Sequence, residues 1–443
     1  MPGTADPRAA GQAARERVPV AGLADWRPAT DRPDPVALIE EQATTRNPEL
    51  VPLRHARMAV SPLTWYRGAA LPMATDLATL PATGLTVQLC GDAHLSNFGL
   101  FASPERDLVF DINDFDETLR GPFEWDVRRL AASLVVAARS RTFGEHAGHH
   151  AVHRMAAAYR TRMAEYARMR AIDVYYAHVD VAAIDSYVHK RARPFLAQTI
   201  HAAQHHDALH VLPRLTEEGA RGQRRIVDNP PLVGHVPEAT AARVEQVRAA
   251  YLDTLQEDRR ELVERYRLVD VARKVVGVGS VGLEALVALF MRDDDDPLFL
   301  QVKEAQESVL ERFLGASGAP THGARVVAGQ RRLQATTDIL LGWSTGTGRA
   351  WYLRQLQDQK GGAVTDAMTP DDLATWGELC GWALARGHAR SGQPAELAAY
   401  LGADTAFEHA LAQFATAYAD QTERDFEAFT TAIRTGRIVA GRA

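Results

Sequence analysis

The sequence predicts an α+β fold with two lobes, a small antiparallel β lobe and a large, mainly helical lobe. Two patterns predict it. Apolar residues recur at three-to-four spacing over most of residues 145–265 and again from residue 370 onward, as they do in helices that pack on one face. Between these regions, residues 269–302 and 338–358 contain short apolar runs separated by Gly-rich and polar turns, which is typical of antiparallel strands.

The composition is ordinary for a globular protein and argues against several classes. The 443 residues are enough for two lobes, at roughly 100–200 residues per domain. A formal net charge of −6 gives no sign of a nucleic-acid surface, and no apolar run approaches the roughly 18 residues of a membrane span. Cys90 and Cys380 have no metal-ligand spacing and are too few for a disulfide framework. We therefore expect a cytoplasmic protein that binds neither nucleic acid nor a membrane.

The first part of the chain is expected to begin with an arm and continue as the large lobe. Residues 1–45 are rich in Ala, Pro, Gly and Arg, a composition that predicts a poorly ordered arm ending in a short helix at 35–45. Residues 46–268 follow as the main part of the large lobe, and the helical stretch 145–265 within it is expected to be an insert.

Four segments of that part have distinct predictions. Apolar runs at 85–92 and 108–114 predict two strands paired like a hairpin. The spacing of apolar residues in 123–140 predicts an amphipathic helix. Residues 212–237, which contain two consecutive prolines, predict a loop.

Residues 269–360 are predicted to form the small β lobe, and residues 361–443 to form helices that complete the large lobe. The strands of the small lobe are expected at 275–278, 283–290 and 298–302, with two more around a turn at 344–348.

The acidic segment from Gly91 to Thr118 carries the strongest functional signal. Carboxylates at this density repel one another, so a fold tolerates them mainly where a cation or a transferring group neutralises them. Asp92, Asn97 five positions later, and an apolar run ending in Asp114 reproduce the layout of a phosphoryl-transfer site, in which one Asp accepts the substrate proton and an Asn and a later Asp hold magnesium.

Two points near this segment remain open at the level of sequence. Asp111 and Asp114 both suit a metal, but three residues apart on an extended chain they point to opposite faces. Arg54, Arg57 and Arg67 lie just upstream, where they either form salt bridges with the acidic cluster or contact a phosphate or carboxylate of a substrate.

A glycine-rich segment supplies a second signal. Gly277, Gly279, Ser280 and Gly282 form a GxGxxG pattern, which suits either a dinucleotide-binding turn before a helix or a phosphate-covering loop between two strands. The apolar run that follows has the length of a strand and favours the phosphate-covering loop. Lys303 then lies on the next predicted strand, where its ammonium group could neutralise phosphates.

A lysine in this position is usually oriented by a glutamate on the following helix. Glu304, Glu307 and Glu311 are all available, and the sequence does not choose between them. Histidines in the helical insert offer a separate metal hypothesis, because His206 and His210 lie four apart; the nearby members of this group are His201 and His205.

Longer motifs add a family resemblance that covers residues from about 54 to the C-terminal helix. The chain resembles, nearly word for word, a bacterial family known as domain of unknown function 2252. The motifs that carry this resemblance are GDAHLSNFG, FDINDFDET, GPFEWDVRRLAAS, LFLQVKEA, YLRQLQD, ALARGHARSG and YADQTERD.

A more distant resemblance links the chain to aminoglycoside and choline phosphotransferases, which have a protein-kinase-like fold. CGDAHLSNF resembles their HGDxxxxN loop, INDFDET their IDFDDA segment, and ALARGHARSG their LARLH helix. This resemblance implies that Asp92 is the catalytic base, that Asn97 and Asp114 bind magnesium with Asp116 as a supporting acid, and that Lys303 holds the α and β phosphates. A Cys, Cys90, stands where that family has a His before the loop Asp.

The order of the two halves is inverted relative to that family, because the acidic segment precedes the glycine loop and Lys303. A circular permutation of the kinase-like fold explains this order, with the C-terminal helices packed beside the first half of the chain.

Together these signals favour an ATP- and Mg²⁺-dependent phosphotransferase that acts on a hydroxyl group of a small-molecule acceptor bound by the insert at 145–265. Transfer of a nucleotidyl group and a regulatory pseudokinase that only binds nucleotide are alternatives. A metal-dependent hydrolase built on the acidic cluster alone is a further alternative, but it leaves the glycine loop and Lys303 unexplained. The sequence identifies neither the acceptor nor the oligomeric state.

Overall fold

The protein has a mixed α+β fold, described here from a computed structural model. The structure describes residues 6–187, 193–204, 212, 215–218, 224–275, 277–293, 296–356, 361–362 and 365–441.

A helical body, built from the N-terminal, central and C-terminal helices, contains the largest hydrophobic core. The N-terminal helices are α1 (Pro7–Arg17), α2 (Pro35–Ala43), α3 (Val51–Met58), α4 (Pro62–Gly68) and α5 (Ala70–Leu77). The central helices are α6 (Phe123–Ser140), α7 (Glu145–Tyr166), α8 (Ala171–Tyr176), α9 (Val181–Tyr187) and α10 (Arg193–Gln204). The C-terminal helices are α15 (Pro370–Ser391), α16 (Pro394–Leu401) and α17 (Ala406–Arg434). Within the described part of the chain, no helix is both long enough and apolar enough to span a bilayer.

Helix α6 lies at the centre of this body, packed against α7, α15 and α17. Its residues are buried from Phe123 to Ala138, including the charged side chains of Asp126, Arg128 and Arg129. The amphipathic helix predicted for this segment is therefore a fully buried one, and its charges are directed at partners inside the protein.

The N-terminal arm is ordered over the described residues 6–45, contrary to the expectation of a poorly ordered segment. Helix α1 packs on α16, and a 3₁₀ turn at Val20–Ala24 packs on α17. Arg32 explains part of this order, because its guanidinium bridges Asp76 on α5 and Asp425 on α17 at 2.7 Å from each. The short helix expected at 35–45 is present as α2.

Two small sheets carry the acidic segment. Strand β1 (Thr86–Leu89) pairs with β4 (Leu119–Pro122), and β2 (Phe98–Ala102) pairs with β3 (Leu108–Ile112) and the short β13 (Gly361–Gly362). The hairpin predicted between 85–92 and 108–114 is therefore wrong in its pairing, because β3 pairs with the nearer strand β2 and β1 pairs with the more distant strand β4. The ends of the two runs still meet, since the amide of Asn113 donates to the carbonyl of Asn97 at 2.8 Å.

A six-stranded antiparallel sheet forms the rest of the described structure, with the strand order β11-β12-β10-β9-β8-β7. Its strands are β7 (Val233–His235), β8 (Arg267–Lys274), β9 (Ala285–Met291), β10 (Pro297–Glu304), β11 (Gly342–Ser344) and β12 (Trp351–Gln355). Helices α13 (Glu311–Leu314) and α14 (His322–Leu333) connect β10 to β11. The predicted meander is confirmed, although its first strand is 267–274 rather than 275–278.

The two faces of this sheet differ. One face is apolar and is covered by α11 (Glu238–Leu252) and α12 (Glu257–Glu264), with Val247 and Tyr251 against Leu286 and Val302. The opposite face is also apolar at one end, where Val287, Leu289 and Phe299 form a second buried cluster, and at its other end carries Lys303 and its cross-strand neighbour Tyr352 toward the helical body.

The regions before the predicted small lobe are consequently divided between the two parts of the fold. Helix α7 belongs to the central core, whereas α11 and β7 belong to the six-stranded sheet. The predicted insert at 145–265 is thus not one unit, and the boundary predicted at 268/269 cuts through the sheet with its helices. The loop predicted at 212–237 contains β7 and a short hairpin of β5 (Thr216–Glu218) and β6 (Arg224–Ile226).

A buried ion pair joins the acidic segment to the C-terminal helices. Nη2 of Arg386 on α15 lies 2.7 Å from both carboxylate oxygens of Asp111 on β3, and both side chains are at most 1% exposed. Asp111 also accepts the amide of Ala335 at 2.9 Å. Of the two aspartates that the sequence left open as metal ligands, Asp111 is therefore engaged by partners inside the protein.

Replacing Asp111 should destabilise the protein strongly. Asp111→Ala leaves the guanidinium of Arg386 buried without a counter-charge, a change that typically lowers the free energy of unfolding by about 3–5 kcal/mol. We expect a clear fall in the midpoint of urea unfolding, followed by tryptophan fluorescence. Asp173→Ala is the matched control, because it breaks an exposed pair with Arg170 and should leave the midpoint nearly unchanged. Equal effects of the two variants would contradict the role assigned to the buried pair.

Candidate functional site

Residues from both predicted halves line one cavity of about 90 Å³ between the helical body and the six-stranded sheet. Every predicted site residue in this lining is polar or glycine, and the two groups are about 160 positions or more apart in sequence. The lining includes Asp92, Asn97, Asp114, Asp116, Gly277, Gly279 and Ser280. Three arginines from the N-terminal helices, Arg46, Arg54 and Arg67, face the same cavity.

The loop that carries Asp92 is held from beneath by helix α6. The carboxylate of Asp126 accepts the backbone amides of Cys90 at 2.8 Å and Gly91 at 3.0 Å, and His388 lies 3.3 Å from it. Gly91 has a φ of +85°, a conformation that strains residues with a Cβ. These contacts turn the chain sharply after β1 and direct Asp92 into the cavity.

The turn is closed by Asn97, at the end of a 3₁₀ turn at Leu95–Asn97. Its side-chain amide donates from Nδ2 to the carbonyl of Asp92 at 2.7 Å. Because Nδ2 is used in this way, Oδ1 of Asn97 is the atom left to act as a ligand on the cavity side.

The carboxylate of Asp92 has two unlike oxygens. Nε of Arg129 lies 2.6 Å from Oδ1, and Nη2 of the same guanidinium donates to the carbonyl of Tyr66 at 2.8 Å. Nε2 of His94 lies 3.6 Å from Oδ2, beyond hydrogen-bond distance. The amide of Ser96 donates to Nδ1 of His94, so the neutral imidazole carries its proton on Nε2. Oδ1 is therefore fixed by the protein, whereas Oδ2 is available to another group.

Like Glu117, Asp114 is a carboxylate of the cavity that forms no ion pair with a described residue. No cation among the described residues lies within ion-pair distance of it, and its one hydrogen bond is a long contact of 3.4 Å from the amide of Asp116. Burial, together with the neighbouring charge of Asp116, raises the pKa of Asp114 above its ordinary value. A carboxylate in this situation is well suited to a metal cation.

Asp116 is engaged by the six-stranded sheet. Its carboxylate forms an ion pair with Lys303 on β10 and accepts hydrogen bonds from the hydroxyl groups of Tyr352 at 2.8 Å and Ser280 at 3.1 Å. Its backbone carbonyl accepts a hydrogen bond from Arg325 on α14 at 2.8 Å. Burial alone would raise the pKa of Asp116, but the Lys303 ammonium outweighs it and holds that pKa below the ordinary value.

Asp116 is therefore placed beside the predicted metal residues, but its oxygens are already used by the sheet. Among the described residues, no group of three or more His, Cys, Asp and Glu side chains has the arrangement of a metal site. Any cation here would have Asn97 and Asp114 as protein ligands and would need further oxygens from a bound molecule.

The glycine loop connects two antiparallel strands, β8 and β9, and no helix follows it, which excludes the dinucleotide-binding turn. Gly277 and Gly282 have φ values of +66° and +95°. The carbonyls of the loop are bound by the N-terminal region: Arg57 donates to Gly277 at 2.7 Å, and the amide of Asn47 donates to Gly282 at 2.8 Å. Gly282 itself lines a neighbouring cavity of about 440 Å³ rather than the one that contains Asp92.

None of the three glutamates considered for this role orients Lys303 in the structure, and Glu304 instead accepts the amide of Glu284 at 3.2 Å. Glu311 accepts the amides of Ser308 at 2.9 Å and Ser317 at 2.8 Å, and Glu307 lines a separate groove of about 730 Å³. Within the described residues, the partner of Lys303 is Asp116 instead. The prediction of a glutamate partner near Lys303 in sequence is therefore wrong, because the acidic segment, in the other half of the chain, supplies the counter-charge.

The remaining sequence predictions are resolved as far as the structure extends. Arg54 and Arg67 form no salt bridge with a described acidic residue, whereas Arg57 binds the glycine loop. His201 lies on α10, and the other histidines of the insert, at 205, 206 and 210, fall outside the described residues.

Sequence reasoning missed the residues that support the site. Asp126 and Arg129 belong to the motif GPFEWDVRRLAAS, and Tyr352 belongs to YLRQLQD. The available signal for the first two was a pair of opposite charges within an otherwise apolar helix, which indicates charges with internal partners. No local signal distinguishes Tyr352 from an ordinary strand tyrosine.

The close approach at Gly91 gives a test of the site's geometry. A Cβ at Gly91 would overlap the backbone oxygen of Glu117, whereas a Cβ at Gly144 would meet nothing within 4 Å at nearly the same φ, +80°. Both alanine variants carry the strain of a left-handed backbone, about 1–2 kcal/mol. Only Gly91→Ala should also force the backbone at Glu117 away from residue 91, so its thermal unfolding midpoint should fall further than that of Gly144→Ala. Equal midpoints would show that the close approach is absent.

Comparison with known proteins assigns the chain to a family without assigning an activity. The model of the family DUF2252, described as an uncharacterized protein conserved in bacteria, matches residues 46–432, which include the cavity-lining residues named above. No curated protein and no solved structure matches the chain. By this match over most of its length, the chain belongs to the bacterial family DUF2252.

Proposed function

We propose that this protein is an ATP- and Mg²⁺-dependent phosphotransferase with a permuted protein-kinase-like fold, acting on a hydroxyl group of a small-molecule acceptor. One observation carries the proposal. Asp92, Asn97 and Asp114 share a single cavity with the Gly277–Ser280 part of the loop, and Lys303 is paired with Asp116 at its edge. A phosphoryl-transfer site needs these groups together, because it acts mainly by positioning and by charge stabilisation.

The topology of the six-stranded sheet supports the kinase-like part of the proposal. The glycine loop joins β8 to β9, Lys303 lies on the following strand β10, and a helix, α14, comes before β11 and β12. Protein kinases have the same succession of glycine loop, lysine on the third strand and a helix after it.

The position of the C-terminal helices supports the permutation. Helix α15 contains the motif ALARGHARSG and packs against β1, β3 and α14. In the phosphotransferases that this motif resembles, the corresponding helix leads directly into the catalytic loop. Here α15 follows the loop by more than 250 residues in sequence, but it packs beside the loop. The Arg386–Asp111 ion pair and the contact of His388 with Asp126 hold it there.

The residues present fit magnesium bound together with a nucleotide. Mg²⁺ prefers six oxygen ligands and usually takes only one or two carboxylates, with water and phosphate oxygens completing its shell. Oδ1 of Asn97 and the uncompensated carboxylate of Asp114 would hold it. The ion would neutralise charge that develops on the transferred phosphoryl group.

In the proposed reaction, Oδ2 of Asp92 accepts the proton of the acceptor hydroxyl while the hydroxyl oxygen forms a bond to the terminal phosphorus of ATP. The bond from phosphorus to the bridging oxygen breaks, and ADP leaves with the electron pair. Arg129 holds Asp92 through Oδ1, so the carboxylate does not rotate away from the acceptor. Lys303 would contact the phosphates of the nucleotide after exchanging its partner Asp116.

Nucleotidyl transfer is a second candidate, and one observation favours it. The lysine of a protein kinase pairs with a glutamate of the helix that follows it, whereas Lys303 pairs with Asp116 of the acidic segment. This departure leaves room for a different placement of the phosphates. ATP labelled in either the α or the γ phosphate separates the two reactions, because only the transferred group carries label to the acceptor.

Nucleotide binding should stabilise the protein measurably. At about 100 times its dissociation constant, ATP with Mg²⁺ should add roughly 2.7 kcal/mol to the free energy of unfolding, seen as a rise in the thermal midpoint. Lys303→Ala should lose most of this rise, because the phosphates lose their cation. Arg292→Ala, on an exposed turn of the same sheet, should keep it. If ATP and Mg²⁺ together leave the wild-type midpoint unchanged, the proposal fails.

Removing the proposed base should separate chemistry from binding. Asp92→Asn keeps the shape of the side chain but not its basicity, so transfer of label from γ-labelled ATP should fall by about 10²- to 10⁴-fold while the ATP-dependent stabilisation persists. Asp107→Asn, an exposed change in the same segment, should transfer normally. Full activity of Asp92→Asn would mean that another group is the base.

A further inference from the structure

Three arginines of the N-terminal region line the cavity. Arg46 follows α2, Arg54 lies on α3 and Arg67 lies on α4, and all three line the cavity beside Asp92 and Asp114. Their guanidinium groups thus approach one small volume from three separate segments of backbone.

Arg54 is the most unusual of the three, because its charge is buried without a counter-charge. The residue is 1% exposed, and its hydrogen bonds from Nη2 reach two neutral acceptors, the carbonyl of Gly68 at 2.9 Å and Oε1 of Gln42 at 3.3 Å. Nε and Nη1 are buried and have no hydrogen-bond partner among the described residues. Other buried arginines of this protein, such as Arg129 and Arg386, are paired with carboxylates.

Arg46 and Arg67 have free donors as well. Nη1 of Arg46 donates to the carbonyl of Val281 at 2.6 Å, but its Nε is buried without a partner. Arg67 makes no hydrogen bond with a described residue, and its Nε is also buried. Burial lowers the pKa of Arg54, and the charge of Arg46 beside it lowers it further, so the arginines repel one another in the absence of an anion.

Asp92 and Asp114 attract Arg67 through space, and Asp116 and Glu117 attract Arg46, but no described carboxylate forms an ion pair with any of the three arginines. Asp92 is paired with Arg129, and Asp116 with Lys303. Glu117 is held by the amide of Val309 at 2.7 Å, and Asp114 remains for a cation. An unpaired buried guanidinium destabilises a fold by several kcal/mol unless something compensates it, so the arrangement points to a bound anion.

We propose that Arg46, Arg54 and Arg67 form a binding site for a phosphate group. Guanidinium donors from three directions suit a tetrahedral oxyanion, whose oxygens point to separate partners, better than a planar carboxylate, which one arginine can bind in bidentate fashion. The cavity of about 90 Å³ has room for such a group, given that a water molecule occupies about 30 Å³ in the liquid.

The phosphate has two possible sources, and this part of the assignment rests on the proposed function. It is either the terminal phosphate of ATP, held close to Asp92 for transfer, or a phosphate already present on the acceptor, which would define the acceptor as a phosphorylated metabolite. The site itself requires only the anion, so it can be tested with inorganic phosphate and without any catalytic assay.

The first experiment measures the thermal midpoint of the full-length protein in increasing millimolar phosphate, against sodium chloride at equal ionic strength. The wild type should be stabilised by phosphate beyond the effect of the chloride. Arg54→Met should bind phosphate roughly 10- to 100-fold more weakly, because charged hydrogen bonds are lost. Arg248→Met is the control, since that guanidinium donates to the carbonyls of Val263 and Tyr266 outside the cavity.

A purely structural role for Arg54 predicts a different result. If Arg54 served only to hold Gly68 and Gln42, Arg54→Met would lower the midpoint in phosphate-free buffer and leave the response to phosphate intact. If it serves an anion, the variant should be at least as stable as the wild type without phosphate, because the unpaired buried charge is gone. Arg67→Met should weaken the phosphate response in the same way and decides the matter if Arg54→Met does not fold.

The two sources are then separated with nucleotides. If the site holds the terminal phosphate, Arg54→Met should lose affinity for ATP but not for ADP. If it holds a phosphate of the acceptor, the affinities for both nucleotides should be unchanged while the response to inorganic phosphate is lost. No stabilisation of the wild type by phosphate, or an equal phosphate response in Arg54→Met and the control Arg248→Met, overturns the site. Failure of γ-phosphate transfer with the phosphate response intact overturns only the proposed function.

Discussion

The carboxylate of Asp116 is the junction on which the arrangement of the cavity depends. It is bound by Lys303 and Tyr352 of the six-stranded sheet and by Ser280 of the glycine loop, while its backbone carbonyl is bound by Arg325 of α14. Four contacts from the six-stranded sheet, its glycine loop and α14 thus meet at one residue of the acidic segment. A buried carboxylate and a buried ammonium group of this kind are stable only as a pair. The position of the sheet over the acidic segment therefore depends on the ionised state of Asp116, and that ionised state depends on the position of Lys303.

The charges in the cavity divide into those that the protein neutralises and those that it leaves for a ligand. Asp92 and Asp116 have internal partners, which fix their orientation. Asp114 and Arg54 form no ion pair with a described residue, and their charges have opposite signs. A site with one uncompensated anion and one uncompensated cationic group is suited to a ligand that brings both charges, as a metal-bound phosphate does. Proteins rarely leave such groups unpaired without a functional reason.

Sequence patterns predicted the strands and turns that short segments determine, but they did not predict which distant segments pair with each other. The meander around Lys303 follows from alternating apolar runs and turns, and the loop at Gly277 from its glycines. The pairing of β1 with β4 could not be read from either strand, because both runs have strand-like composition and several possible partners. The partner of Lys303 was missed for the same reason, since Asp116 is 187 positions away. The prediction of a poorly ordered arm is wrong for the described residues 6–45, because composition does not reveal that Arg32 bridges two buried carboxylates.

The N-terminal helices are best understood as part of the site rather than as an addition to it. Arg57 and the amide of Asn47 hold carbonyls of the glycine loop, and Arg46 holds the carbonyl of Val281 within it. Arg46 therefore contacts the loop with one nitrogen, while its Nε is buried without a hydrogen-bond partner among the described residues and its side chain lines the cavity. An anion bound by Arg46 and Arg54 would act on the loop through the same guanidinium, so the position of the loop and the occupancy of the anion site would be coupled. In kinases the amides of the glycine loop approach the phosphates directly. Here a phosphate bound by Arg46 would order the loop through the arginine, without contacting the loop amides.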